Sequence, residues 1–94
     1  MRRVRVPDDV AALIRGLHPD LKKKVQSALR DIVEDPGVGK VLRDELAGLR
    51  SCRVSRFRIV YRVAGGVIEI VAVGPRSTIY HETWRRVQKG PPAS

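Results

Sequence analysis

Cysteine is all but missing from this 94-residue chain: Cys52 stands alone. No internal disulfide can staple the fold, and the usage fits a reducing compartment, the cytoplasm. Aromatic residues are scarce at 4%, so Val, Ile, Leu and Ala must supply the core. No segment approaches the roughly 20 consecutive apolar residues that span a bilayer. The opening MRRVRVPDD has no apolar stretch after its charges, so neither a signal peptide nor a membrane partner is expected. His18 and His81 lie far apart with the cysteine near neither; no metal-ligand spacing exists, and no metal or small-molecule cofactor is expected. Gly37-Val38-Gly39-Lys40 lacks the spacing of a phosphate-binding loop. Acidic residues are also short, with 10 Asp/Glu against 19 Lys/Arg and a net charge of +9.

What is present is arginine, and it is unevenly placed. Residues 1–49 carry a net +2 and residues 50–89 a net +7, the latter almost all arginine. Arginine's planar fork matches phosphate oxygens bidentately, whereas lysine acts as a point charge. The stretch RVSRFRIVYRVAGGVIEIVAVGPRSTIY (53–80) holds most of this charge. Along RFRIVYRV, strict alternation sends Phe57, Ile59, Tyr61 and Val63 to one face and Arg56, Arg58, Val60 and Arg62 to the other. The first face reads as core. A row of like charges on the second repels itself, which points to a polyanionic partner.

The remaining pattern is that of a small α+β domain over residues 1–89, followed by a frayed tail, 90–94. Arg2 to Val6 reads as an edge strand stopped by Pro7. Asp8 or Asp9 is the expected N-cap of a helix with apolar positions Val10, Leu13, Ile14 and Leu17. His18-Pro19-Asp20 restarts helix, and Leu21, Val25, Ala28, Leu29, Ile32 and Val33 form one apolar stripe, making a helical hairpin. Asp35-Pro36-Gly37 ends it. Leu42, Leu46 and Leu49 suit either a helical turn or a loop pinned to the core. Strands are expected over 50–55, 57–63 and 67–73, with Gly65-Gly66 as a two-residue hairpin turn. The last of these strands is apolar on both faces apart from Glu69, as a central strand requires. A short final helix over 80–89 carries Trp84 and Val87. Tyr61 and Trp84 are expected in the core, Cys52 as a small buried hydrophobe, and Lys22 to Lys24 on a solvated helix face. The order is β-α-α-β-β-β with a possible C-terminal helix, the sheet mostly antiparallel.

Arginine and tyrosine suffice for one reaction, RNA cleavage by the substrate's own 2′-hydroxyl. The RNA brings the nucleophile, so the protein must align it, stabilise phosphate charge and manage two proton transfers.

The helical hairpin, then LRDELAGLRSCRVSRFRIVYRV, then VIEIVAVGPRSTIY, resemble the RelE/ParE toxin superfamily of type II toxin–antitoxin systems, from Val4 to about Val87. The resemblance implies the RelE-like microbial ribonuclease fold, a cognate antitoxin, and mRNA and the ribosome as partners. It implies a metal-independent, ribosome-dependent mRNA endoribonuclease that inhibits translation. Two alternatives stay open: a ParE-like non-enzymatic toxin acting on DNA gyrase, and an inactive RNA-binding relative. On the RelE pattern, Arg58 corresponds to the strand arginine that contacts the scissile phosphate. Arg76 corresponds to the arginine that stabilises the transition state or assists the leaving group. Tyr80 corresponds to the general base and stacking tyrosine, unless it simply packs against the final helix. Arg53, Arg56, Arg62 and His81 are candidate RNA-binding residues. Ser55 departs from the pattern, falling near a second basic position of the ribonuclease branch, and Arg56 compensates only if it reaches the same pocket. The apolar helical hairpin and the basic sheet face are the expected antitoxin contacts.

Overall fold

A computed structural model of the chain describes residues 3–89. In chain order it contains β1 (Arg3–Arg5), α1 (Asp8–Arg15), α2 (Pro19–Glu34), a 3₁₀ turn (Pro36–Val38) and β2 (Lys40–Val41). A second 3₁₀ turn (Asp44–Leu46), β3 (Arg50–Val54), β4 (Phe57–Ala64), β5 (Val67–Pro75) and α3 (Ile79–Lys89) follow. The strands form one sheet in the order β1-β5-β4-β3-β2. β1 pairs parallel to β5 and the other neighbours are antiparallel. The α+β class, the helical hairpin, the edge position of the first strand, the central position of β5 and the final helix match the expected order; β2 is an addition. Arg2, expected in the first strand, and the tail at 90–94 lie outside the described residues.

The helices follow their apolar spacing. Val10 and Ile14 of α1 are buried, as are Val25, Ala28 and Ile32 of α2. The cap of α1 differs from expectation. Pro7 holds the N-cap position without a side-chain bond, and Asp8 and Asp9 fall inside the first turn, where their charges meet the positive end of the helix dipole. At α2, His18 is the cap: its Nδ1 accepts from the Asp20 N–H at 3.3 Å, and Pro19 sits where its missing N–H costs nothing. Leu13 and Trp84 are 41% and 40% exposed. Trp84 is therefore not core; it lies on the outer side of α3, while Ile79 and Thr83 face inward.

The sheet is covered on both faces. On one, α1 and α2 bury Val54, Ile59, Tyr61, Ile68, Ile70 and Val73. On the other, Leu49, Val60, Ala72 and Ile79 form a smaller cluster, with Leu42, Leu46, Val71 and Tyr80 packed against it. The leucines of 42–49 thus pin a loop, not a helix, to the core. An irregularity in the β4–β5 ladder connects the two layers: Val60 pairs with Ala72, but Tyr61 pairs with Ile70. Val71 is the extra residue of a β-bulge, and alternation along β5 changes parity there. That is how Ile68, Ile70 and Val73 all reach the α1/α2 face while Ala72 reaches the other. Gly65 and Gly66 turn the β4–β5 hairpin with φ of 57° and 80°, a conformation that costs glycine little.

Tyr61 fixes the loop that leads into β2. It is fully buried, donates its hydroxyl to the Pro36 carbonyl at 2.7 Å, and accepts from the Gly39 N–H at 2.9 Å. A Cβ on Gly39 would stand 2.5 Å from that hydroxyl oxygen, so the loop passes the ring only because residue 39 has no side chain.

Candidate functional site

Alternation along β3 and β4 places Ser51, Arg53, Arg58 and Val60 on the face opposite α1 and α2, beside the start of α3. There the Arg58 guanidinium lies 5.9 Å from the centre of the Tyr80 ring, within reach of a cation–π attraction. The Tyr80 hydroxyl donates to Ser51 Oγ at 3.3 Å. Arg53 stands directly across the ladder from Arg58. Among the described residues no ion pair includes Arg53, Arg56, Arg58 or Arg76. Arg58 Nε is buried without a hydrogen-bond partner among the described residues. A half-buried guanidinium with an unanswered donor, flanked by a second guanidinium, is a candidate site for an anion.

The neighbouring turns bring more charge to the same end of the sheet. β3 and β4 are joined by Ser55 and Arg56, and Ser55 takes a φ of 56°. The Arg76 N–H donates to the Arg56 carbonyl at 2.8 Å, which ties the turn after β5 to the turn before β4. Both side chains are exposed. Arg56 is therefore a turn residue and not a member of the β4 face. Arg62 does lie on that face, but it is spent: its Nη2 meets Glu69 Oε1 at 3.1 Å. The bulge is the cause, since it brings Glu69 opposite Arg62. Glu69 thus pairs with Arg62, while Arg58 has no carboxylate partner among the described residues. His81 is exposed and stacks on Trp84, with ring centres 6.5 Å apart. It follows Tyr80 by one residue, about 100° around the helix, and so points elsewhere.

Ser51 is the site residue that sequence reading missed. It is buried at 2% exposure, and a lone serine in a strand carries no signal until the sheet and α3 are assembled. An open cleft of about 750 Å³ reaches Tyr80, lined also by Lys40, Val41, Leu42, Arg43, Asp44 and Leu46. The lining is partly apolar and includes two cations and one carboxylate. Cys52 lies in β3 on the other face, packed against the α1/α2 core. Burial chiefly, then the charge of Asp31, raise its thiol above the ordinary range, outweighing the opposite pull of Arg58. A thiol so held forms less thiolate, the form in which cysteine acts as a nucleophile.

α3 is fastened over this face by Arg86. Its guanidinium donates to the Val71 carbonyl at 3.2 Å, makes a short contact with Asp9 of α1, and lies 3.9 Å from Glu82. The hydrogen bond from Arg86 is the main cause holding the Asp9 carboxyl below its ordinary value. The Thr83 hydroxyl donates to the Ile79 carbonyl at 2.7 Å, so this buried polar group is satisfied within the helix.

Comparison with known proteins gives a consistent family. Residues 4–80 match the model described as the ParE toxin of the type II toxin–antitoxin system parDE. No protein of curated function matches the sequence. Among solved structures, the RelBE2 toxin–antitoxin complex of Mycobacterium tuberculosis aligns at 32% identity and a TM-score of 0.69, covering 80% of this chain and 98% of that one. The RelE–RelB complex of the archaeon Pyrococcus horikoshii OT3 aligns at 26% identity and 0.63, covering 80% and 94%. The isolated RelE toxin of Escherichia coli, at 21% identity and 0.70, covers 93% and 99% and shares the fold. The chain belongs to the ParE toxin family of type II toxin–antitoxin systems, within the RelE/ParE superfamily.

Proposed function

We propose that this toxin is a metal-independent, ribosome-dependent mRNA endoribonuclease. One observation carries the reading: the buried, unpartnered Nε of Arg58, on a guanidinium held against the Tyr80 ring and faced by Arg53. That arrangement offers a phosphodiester a cationic seat beside a phenol. The 2′-oxygen attacks the adjacent phosphorus, the 5′-oxygen leaves, and a 2′,3′-cyclic phosphate and a 5′-hydroxyl result. Tyr80, as the phenolate, takes the 2′-hydroxyl proton; Arg58 stabilises the charge that builds on the phosphate, and Arg76 steadies the departing 5′-oxygen while it takes a proton from water. Arg53 and Arg56 hold flanking phosphates. The active unit is the domain over residues 1–89, acting in the cytoplasm.

A cognate antitoxin is the proposed protein partner. The likeness to a RelBE2 toxin–antitoxin complex and to a RelE–RelB complex supports it.

The ParE family match, together with Ser55 in the exposed β3–β4 turn, supports a second reading as a gyrase inhibitor. One experiment separates them. Purified toxin is added to an in vitro translation reaction, with and without ribosomes, and mRNA 5′ ends are mapped by primer extension; a parallel reaction follows DNA supercoiling by gyrase. Cleavage within codons, only with ribosomes and abolished by Arg76→Ala, is expected. Intact mRNA with blocked gyrase would establish the second reading, and no effect on either an inactive relative.

A further inference from the structure

Ser51 is buried on β3, in a small apolar layer made by Leu49, Val60, Ala72 and Ile79. A hydroxyl in such a place requires a hydrogen-bond partner, and the partner it meets is the hydroxyl of Tyr80, 3.3 Å away. Its cross-strand neighbours are Val60, which offers no polar side chain, and Lys40, which is exposed; Tyr80 reaches it from a different element, 29 residues on. Arg58 approaches the face of the Tyr80 ring while Ser51 holds its oxygen, so the phenol is fixed at two points.

We propose that Ser51 is a positioning residue for Tyr80, an inference that rests on the RNA-cleaving reading. A serine hydroxyl is both donor and acceptor, and its hydrogen rotates freely. Against the neutral phenol it accepts, as in the present geometry. Against a phenolate it donates, which favours the charged form. Ser51 therefore holds the Tyr80 oxygen beside Arg58 before and after that oxygen exchanges a proton with the RNA 2′-hydroxyl. The 3.3 Å separation is long for O–H···O and shortens when the phenol becomes an anion. Alanine at this position removes the hydroxyl and leaves the apolar layer; threonine retains the hydroxyl.

The test is a set of single-turnover cleavage rates on ribosome-bound mRNA across pH, for wild type, Ser51→Ala, Ser51→Thr, Tyr80→Phe and the Ser51→Ala/Tyr80→Phe double variant. Ser51→Ala is expected to slow cleavage by about 10- to 100-fold. Ser51→Thr restores most of the rate, and the double variant is no slower than Tyr80→Phe alone. Alongside, the hydrogen bond of Tyr80 is followed by the ¹³Cζ chemical shift of tyrosine-labelled protein at neutral pH. With just two tyrosines, the Tyr80 signal is the one Tyr80→Phe removes. Ser51→Ala is expected to displace it and Ser51→Thr to return it. An unchanged signal, or a Ser51→Ala loss that persists undiminished in the Tyr80→Phe background, overturns the proposal. If wild type cleaves nothing while the signal is displaced, the pairing of Ser51 with Tyr80 stands and the ribonuclease reading falls.

Discussion

Arg53 faces Arg58 directly across the β3–β4 ladder, and neither has a carboxylate partner among the described residues. Like charges set opposite one another destabilise a sheet by roughly 0.2–1 kcal/mol. At low ionic strength, Arg53→Ser should therefore raise stability to urea by about that much, and the gain should shrink in salt as screening removes the repulsion. Sulfate or a short oligonucleotide should raise the melting temperature of the wild type more than that of the variant. Equal responses would show that the two guanidiniums do not share an anion.

Replacing Arg58 by lysine keeps the charge but loses the planar fork and the contact with the Tyr80 ring. Cleavage of ribosome-bound mRNA should fall by about 100-fold or more, with melting temperature little changed. A variant as active as wild type would mean that only net charge matters at this position.

Gly39→Ala forces a methyl carbon against the Tyr61 hydroxyl and ring, at 2.5 Å and 2.8 Å. The cost should be about 1–3 kcal/mol in urea denaturation. Tyr61→Phe should cost a similar amount, about 1–3 kcal/mol, because it strands the Gly39 N–H and the Pro36 carbonyl. The two losses should not add in the double variant, since each disturbs the same contact.

Asp9 links stability to acid. Its carboxyl sits lower in the folded chain than in the unfolded one, chiefly through the Arg86 bond. The contribution is therefore complete above about pH 4, the unfolded value, and is lost as pH falls through the folded one. Asp9→Asn should flatten the acid limb of a stability–pH profile without altering it near neutrality in slope. Tyr61 acts at the other end. Burial is the main cause raising its phenol, so its contribution is complete below about pH 10 and declines as pH rises through the higher folded value. Tyr61→Phe should remove that part of the alkaline decline, measured by urea midpoints between neutral and alkaline pH.

Much of the architecture is written locally. Val10 and Ile14, Val25, Ala28 and Ile32 repeat at helical spacing, and Pro19, Pro36 and the Gly65–Gly66 pair punctuate the chain where neighbouring elements begin and end. Such signals depend on a residue and its near neighbours, so they survive without tertiary knowledge. The cap of α1 is not legible locally, because Pro7 already fixes an extended backbone there and the acidic residues serve the dipole without capping. Trp84 departs from expectation for another reason. Size suggests burial, yet on α3 the inward positions are taken by Ile79 and Thr83.

The candidate site divides in the same way. That arginines alternate along β4 and that a tyrosine follows β5 are properties of the primary structure, because side chains in a strand alternate by necessity. Which arginine is free to meet an anion is a property of the assembled sheet. A single extra residue, Val71, shifts the β5 register so that Glu69 meets Arg62 rather than Val63, while Arg58 has no carboxylate partner among the described residues. The return of α3 then lays Tyr80 between Arg58 and Ser51, residues separated from it by more than twenty positions. Contacts of that range depend on register and packing, which no local pattern encodes.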